Sequence, residues 1–335
     1  MEDRQAEVWK QYDITVINRY RARGAVLLET NRGWKLFREL EGSVKHLDLE
    51  YTVKAILREK GFADVDQIVK TVNGELYSQD ASGGKYILRD WFRFPECDLQ
   101  NPEQLKMAAG SLAVMHGILE HASINAVEGG RIQDIPQTFA KRTRELKRVH
   151  NYVRERTGKN SFEVCLLNSF REFYRQAGEA GEELAQSAYE TMFRQAEERG
   201  SICHGDFNQH HVLVGNHGGV ITNFEKSYVG LQIADLYQFL RKAMEKNHWD
   251  IEIGEMILSV YDEKKPLCQQ ELEILAILLK FPEKFWKIAN YYYNSRKSWI
   301  SDHNMQKLMK ICKQEEAKQK FLCRLTSFHT GKSSV

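Results

Sequence analysis

The sequence predicts an α+β chain folded in two lobes. Three observations carry that expectation. The first ~100 residues hold short β-prone runs with a single amphipathic helix among them. After Asn101-Pro102 the texture turns helical and highly charged. A small β island, Ile202 to Phe224, then interrupts the helices before they resume at Gln232.

Taken in order, Ile14 to Ile17, Ala25 to Thr30 and Trp34 to Leu40 are the first strand candidates, with Asn31-Arg32-Gly33 as the turn between the second and third. Leu49, Val53, Ile56 and Leu57 share one helix face, and Gly61 ends that helix in the left-handed manner. Asn73-Gly74 and Gly83-Gly84 are hairpin signals flanking Glu75 to Ser78 and Lys85 to Asp90. Asn101 is a good N-cap and Pro102 a good first helical residue; Leu105, Ala109, Leu112 and His116 then line one face. The lobes are expected over residues 1–94 and 95–335, and with no repeat or low-complexity linker between them they should touch closely.

Composition is that of an ordinary globular chain: 335 residues, 42% hydrophobic and 28% charged, with a formal net charge of +2. Nothing global calls for nucleic acid or an anionic membrane. The start, MEDRQAEVWKQYD, lacks the basic and apolar runs of a signal peptide, and the longest apolar stretch, Ile274 to Leu279, is far too short to cross a bilayer. The expectation is a soluble cytoplasmic protein with no membrane or nucleic-acid partner. The six cysteines form no C-x-x-C pair and stand at no zinc-ligand spacing, so they read as small buried hydrophobes.

The chemistry concentrates in Ile202 to Ser227, ICHGDFNQHHVLVGNHGGVITNFEKS. It reads as a strand, a loop with His204 and Asp206, a strand, a turn at Asn216 to Gly219, and a strand VITNF. Such a hairpin brings the loop before its first strand close to the end of its second. One carboxylate would then orient a hydroxyl while neighbours hold Mg²⁺ beside it, the layout of phosphoryl transfer.

HGDFNQHH resembles the H-x-D-x-x-x-x-N catalytic loop of aminoglycoside phosphotransferases and choline kinases, and VITNFE resembles their I-D-F-E metal strand. The flanking segments RARGAVLLET, EGSVKHLDLE, ECDLQNPEQLKMAAGSLAVMHG, ADLYQFLRKAMEKNHWD and FPEKFWKIANYYYNSRKSW resemble CotS-type spore-coat proteins of the same fold, over about Tyr20 to Trp299. The resemblance implies a protein-kinase-like fold, an ATP and Mg²⁺ cleft between the lobes, and spore-coat proteins as partners, reached from the mother-cell cytoplasm. It gives Asp206 the catalytic-base position and His204 the loop histidine. His211 stands where the family has its Asn metal ligand, and Asn223 where it has its metal Asp; Glu225 matches a second acidic residue. Arg38 stands at the phosphate-pairing Lys position with Lys35 the nearest lysine, and Glu50 is the expected ion-pair partner for either. Trp91 and Phe92 lie where the hinge meets the adenine, which leaves two readings, base stacking and interlobe packing. Gly24 sits in the turn over the phosphates, and Asp235 would brace the catalytic loop.

The substitutions all act in one direction. Asn223 keeps an oxygen but loses its charge, His211 offers a nitrogen that suits magnesium poorly, and the planar guanidinium of Arg38 is not a compact ammonium. The reading is a CotS-type protein with weak or absent kinase activity, acting by association during coat assembly. The second reading is an active small-molecule phosphotransferase with Asp206 as base. Two lesser ligand readings are a metal held by His210, His211 and Glu225, and a cation gripped by Trp286, Tyr291, Tyr292, Tyr293 and Trp299. The bland alternatives are an unliganded pair and plain helix core. The basic run Lys141 to Arg148 reads as a solvated helix face.

Overall fold

A computed structural model describes residues 7–22, 24–62, 64–122, 134–215, 218–295 and 302–328. The amino-terminal lobe is a five-stranded antiparallel sheet, β1 (Val16–Ala22), β2 (Ala25–Thr30), β3 (Gly33–Glu39), β4 (Ser78–Gln79) and β5 (Lys85–Asp90), in the order β1-β2-β3-β5-β4. Period-2 alternation splits its side chains between two faces. Leu28, Phe37 and Leu88 meet the amino-terminal Val8, Trp9 and Tyr12 on one face, where Phe37 stacks on Tyr86 at 5.2 Å. Ile87 faces the other way, against Leu47 of α1 (Val44–Glu59). Ser43 caps α1 by accepting the His46 N–H, and Gly61 beyond its end has φ +83°.

Two strand expectations shift. The first strand runs over Val16–Ala22 rather than Ile14 to Ile17. It is the sheet edge, and its central residues Ile17 to Arg21 are exposed, so no buried alternation marks it in the sequence. Of Glu75 to Ser78 only Ser78 joins the ladder, opposite Tyr86; Thr71 to Gly74 form a turn instead, with Gly74 at φ +85°.

The second lobe is helical. α2 (Pro102–Leu119) begins as expected, with the Asn101 side chain accepting from the N–H groups of Glu103 and Gln104. Leu105, Ala109, Leu112 and His116 are all buried. α3 (Ile135–Glu155), α4 (Ser161–Gln186) and α5 (Tyr189–Arg199) follow, then β6 (Ile202–Cys203), β7 (Val212–Val214), β8 (Gly219–Ile221) and β9 (Tyr228–Val229). The chain continues with α6 (Ile233–Lys246), α7 (Ile251–Lys264), α8 (Gln269–Lys280), α9 (Glu283–Asn294) and α10 (Asp302–Leu325). β6 pairs with β9 and β7 with β8, both antiparallel.

Two segments from outside the island flank the β7–β8 hairpin. Asp66 N–H donates to Ile221 C=O, and Ile221 N–H to Asp64 C=O. On the other side Cys97 N–H donates to Val212 C=O and Val214 N–H to Pro95 C=O. These bonds tie the exit of α1 and the exit of β5 to the candidate catalytic hairpin. The cleft floor is thereby built from both lobes.

Candidate active site

The loop carrying His204 and Asp206 is held from three sides. The β6–β9 pairing sets Cys203 beside Tyr228, which brings residues 204–206 against the turn Phe224–Lys226. Gly205 has φ +82°, and a Cβ there would lie 1.9 Å from the Lys226 carbonyl oxygen, so only glycine permits this approach. From α6, the fully buried Asp235 carboxylate accepts the N–H of His204 at 2.6 Å and of Gly205 at 2.9 Å, and lies 3.2 Å from His116 Nε2. Asp235 thus braces the loop as the sequence suggests.

His204 is completely buried. Its Nε2 donates to Thr222 C=O at 3.0 Å and its Nδ1 accepts the Asp206 N–H at 3.2 Å. Burial pushes its imidazole down to about 4, so it stays neutral. It orients the loop from beneath.

Asp206 keeps its carboxylate partly exposed. Oδ1 accepts from Asn208 Nδ2 at 2.9 Å and Oδ2 from Lys226 Nζ at 2.7 Å. Burial pushes this carboxyl up, but the Lys226 hydrogen bond and the nearby positive charge outweigh it and hold the group below its ordinary value. Lys226→Ala should therefore move the Asp206 titration upward, read by carboxyl-carbon NMR, and change stability by less than about 1 kcal/mol because the lysine is half exposed. An unmoved titration would show that another cation sets it.

The two positions expected to hold metal engage each other. His211 Nδ1 donates to Asp206 C=O at 2.9 Å, and His211 Nε2 accepts the Asn223 amide N–H at 3.0 Å. Burial keeps this imidazole below its usual value, hence neutral. Asn223 itself has φ 66°; β8 ends at Ile221, and a 3₁₀ turn over Phe224–Lys226 replaces the expected end of strand VITNF. A short polar side chain tolerates this left-handed backbone, which the strand pattern does not reveal.

Glu225 on that turn receives two guanidiniums. Arg38 of β3 ion-pairs with it, and Arg89 Nη1 of β5 lies 2.7 Å from Oε1. Behind them Glu50 pairs with Lys54 at 2.5 Å and Arg89 at 2.7 Å, and Asp66 lies 3.1 Å from Lys54. The expected partnership of Glu50 with Arg38 or Lys35 is not what forms. Lys35 stands three residues before Arg38, so the pleat sends it to the opposite face, where it pairs with Asp90 at 2.9 Å. Arg89, Lys54 and Asp66 were missed from the sequence. An arginine inside the apolar run of KYILRD, and a lysine four residues after Glu50 on the same helix face, were the signals available.

The remaining expectations divide. Trp91 is half-buried and donates its backbone N–H to Trp34 C=O, while Phe92 stacks on Phe94 with centroids 6.1 Å apart. His210 turns outward to Glu96, 2.6 Å away, and does not join His211 and Glu225. The aromatic set does not form a cation cage among the described residues. Arg142 already covers Trp286 at 4.2 Å, Tyr292 donates to Glu163, Tyr293 packs edge-on against Tyr152, and Tyr291 is exposed; Trp299 lies outside the described residues.

The groups at the expected metal positions already have partners within the protein. Asn223 and His211 satisfy one another, Glu225 is neutralised by two arginines and Asp206 by Lys226. Mg²⁺ prefers one or two available carboxylates with near-octahedral oxygen geometry. Among the described residues no three His, Cys, Asp or Glu side chains converge as a metal cluster.

Residues 5–325 match the family described as "Spore coat putative kinase YutH". The chain belongs to that family. It is 25% identical over 312 residues to spore coat protein S of Bacillus subtilis (strain 168), spanning 90% of this chain and 86% of that one. Its fold is similar to that of an aminoglycoside phosphotransferase from Alicyclobacillus acidocaldarius, with a TM-score of 0.85 at 20% identity over 96% of this chain and 95% of the other. A spectinomycin phosphotransferase in its AMP-bound form superposes with a TM-score of 0.64 at 13% identity, covering 98% and 99%. This YutH-family chain therefore has the kinase-like, two-lobed fold anticipated from its catalytic-loop pattern.

Proposed function

We propose that this YutH-family protein is a spore-coat component whose phosphotransferase-like cleft has given up efficient phosphoryl transfer and serves as a ligand-holding scaffold in coat assembly. The hydrogen bond between Asn223 and His211 carries this reading, because it replaces an oxygen-rich metal site by a neutral, self-satisfied pair. Loss of a single aimed electrostatic group costs on the order of 10²–10³ in rate. Here the groups at 211, 223 and 38 all differ from the aminoglycoside phosphotransferase pattern that the sequence otherwise resembles. Other coat proteins would be the partners and the mother-cell cytoplasm the site of assembly. The name of the Bacillus subtilis relative supports the coat setting.

ATP is the natural ligand for the cleft, since similar folds carry adenine nucleotides; Trp91 and Phe92 would face its base and the Gly24 turn its phosphates. A phosphotransfer assay over Mg²⁺, Mn²⁺ and Zn²⁺ should find no turnover at ordinary kinase rates. Turnover abolished by Asp206→Ala would overturn the scaffold reading. The triple change Asn223→Asp, His211→Asn and Arg38→Lys should create Mg²⁺-dependent ATP binding, measured by calorimetry. One observation favours the second reading, an active small-molecule kinase: Asp206 is intact, held ionised and partly exposed.

A further inference from the structure

Six charged side chains meet between the sheet, α1 and the 224–226 turn: Arg38, Lys54 and Arg89 against Glu50, Asp66 and Glu225. The charges balance, but the geometry does not. Glu50, Lys54, Asp66 and Arg89 are almost entirely buried and locked to one another. Glu225 and Arg38 are the members that reach the cleft, with side chains 26% and 20% exposed. Both guanidiniums lean on the one Glu225 carboxylate, and each keeps a buried Nε–H without a hydrogen-bond acceptor. Asp66 Oδ2, 4.0 Å from Arg89 Nε, is beyond hydrogen-bond reach. A buried unsatisfied donor is unfavourable, and two on adjacent arginines mark a place where more anionic oxygen would be welcome.

Arg38 and Arg89 lie on the same face of neighbouring strands, since Arg38 pairs with Ile87 and Leu36 with Arg89. They form two planar forks side by side, a geometry that matches phosphate oxygens. The mutual repulsion shows at Arg38: burial and then the Arg89 charge bring its guanidinium down to about 10. If Glu225 swings outward, Arg38 and the Nη1 of Arg89 lose their carboxylate, while Arg89 Nη2 stays on Glu50, and the neighbouring Asn223 and His211 carry no charge.

We propose that this cleft binds the polyphosphate of a nucleoside triphosphate without a divalent cation, Arg38 and Arg89 taking the phosphate oxygens that Glu225 occupies in the free protein. This rests on the reading of the cleft as a nucleotide site, and it makes Glu225 an internal competitor of the ligand. The arginines would provide the positive charge that magnesium supplies in a metal-dependent site, and the missing metal carboxylates become a consistent part of the design. No bond is made or broken; the site only binds.

The test is thermal shift and calorimetry on the full chain with ATP, adenosine and inorganic pyrophosphate, each in EDTA and in Mg²⁺. ATP is expected to raise the melting temperature in EDTA at least as far as in Mg²⁺, and adenosine to do far less. Glu225→Gln should tighten ATP about tenfold in EDTA, equivalent to one charge-assisted hydrogen bond that no longer has to be broken. Arg38→Gln, whose partner Glu225 is part-exposed, should weaken ATP while leaving adenosine unchanged. ATP binding that requires Mg²⁺ overturns the proposal and leaves the ligand-holding scaffold standing, whereas no shift under either condition overturns both. A pyrophosphate shift equal to that of ATP overturns the nucleotide assignment. Phosphoryl transfer to an added alcohol would sink the scaffold reading while binding in EDTA still supported this one.

Discussion

Glu50→Ala is expected to cost about 3–5 kcal/mol of folding stability, because it strands Lys54 and Arg89 as unpaired charges in the interior. Urea denaturation of the two proteins measures it directly. A loss under ~1 kcal/mol would mean that water reaches the cluster and the ion pairs are not dry. The pH dependence carries the same information with a definite sign. Burial alone would raise the Glu50 carboxyl, but Lys54 and Arg89 bring it down to about 2 from 4.5. Its contribution is therefore complete above the unfolded value and disappears as pH falls from 4.5 toward about 2. Asp66 works in the opposite sense: burial pushes its carboxyl up, so acidification relieves a cost there and limits the slope. In Glu50→Gln the acid limb should become shallower, since the largest stabilising carboxyl of the cluster no longer titrates and Asp66 acts in the opposite sense.

Gly205→Ala should be nearly as damaging. The added methyl would sit 1.9 Å from the Lys226 carbonyl oxygen and 2.7 Å from its carbon, both backbone atoms that cannot rotate away. The left-handed conformation at φ +82° adds roughly 1–2 kcal/mol for any L-residue, and the forced separation of loop and turn adds another ~1–3 kcal/mol. A loss of about 3 kcal/mol, with faster hydrogen exchange of the Asp235-bound amides of His204 and residue 205, is the expected result. Unchanged stability would mean that the turn carrying Glu225 and Lys226 is free to retreat.

Much of this molecule was legible in its residues. The cap at Asn101, the face of α2 and the exact span of β2 are local consequences of side-chain chemistry, whereas the bracing of the loop by Asp235 spans 31 positions and was implied by the resemblance. The charged cluster was not, because its decisive contacts link residues 39 positions apart in Glu50 and Arg89, and further in Arg38 and Glu225. A buried arginine in β5 violates the hydrophobic pattern of its strand, and patterning alone cannot say where its charge is met. The β1 edge was misplaced for the converse reason: exposed on both faces, it has no burial period to read. At the site, the hairpin reading brought Asp206 near residues 223–225, and hydrogen bonds do link Asp206, His211 and Asn223. That reading could not show that His211 and Asn223 bind each other, because that depends on a tautomer and a left-handed turn.

The seating of α10 also has a consequence for how the chain is made. Gly254 of α7 leaves room for the ring of Phe321, and a Cβ there would lie 2.2 Å from it; Phe321 also faces Trp249. Phe321 thus leaves the ribosome more than 200 residues after the sheet and α1 are complete. During synthesis the smaller lobe can collapse while the larger one still waits with its α7 groove open, so the emerging chain should depend on chaperones most in that interval.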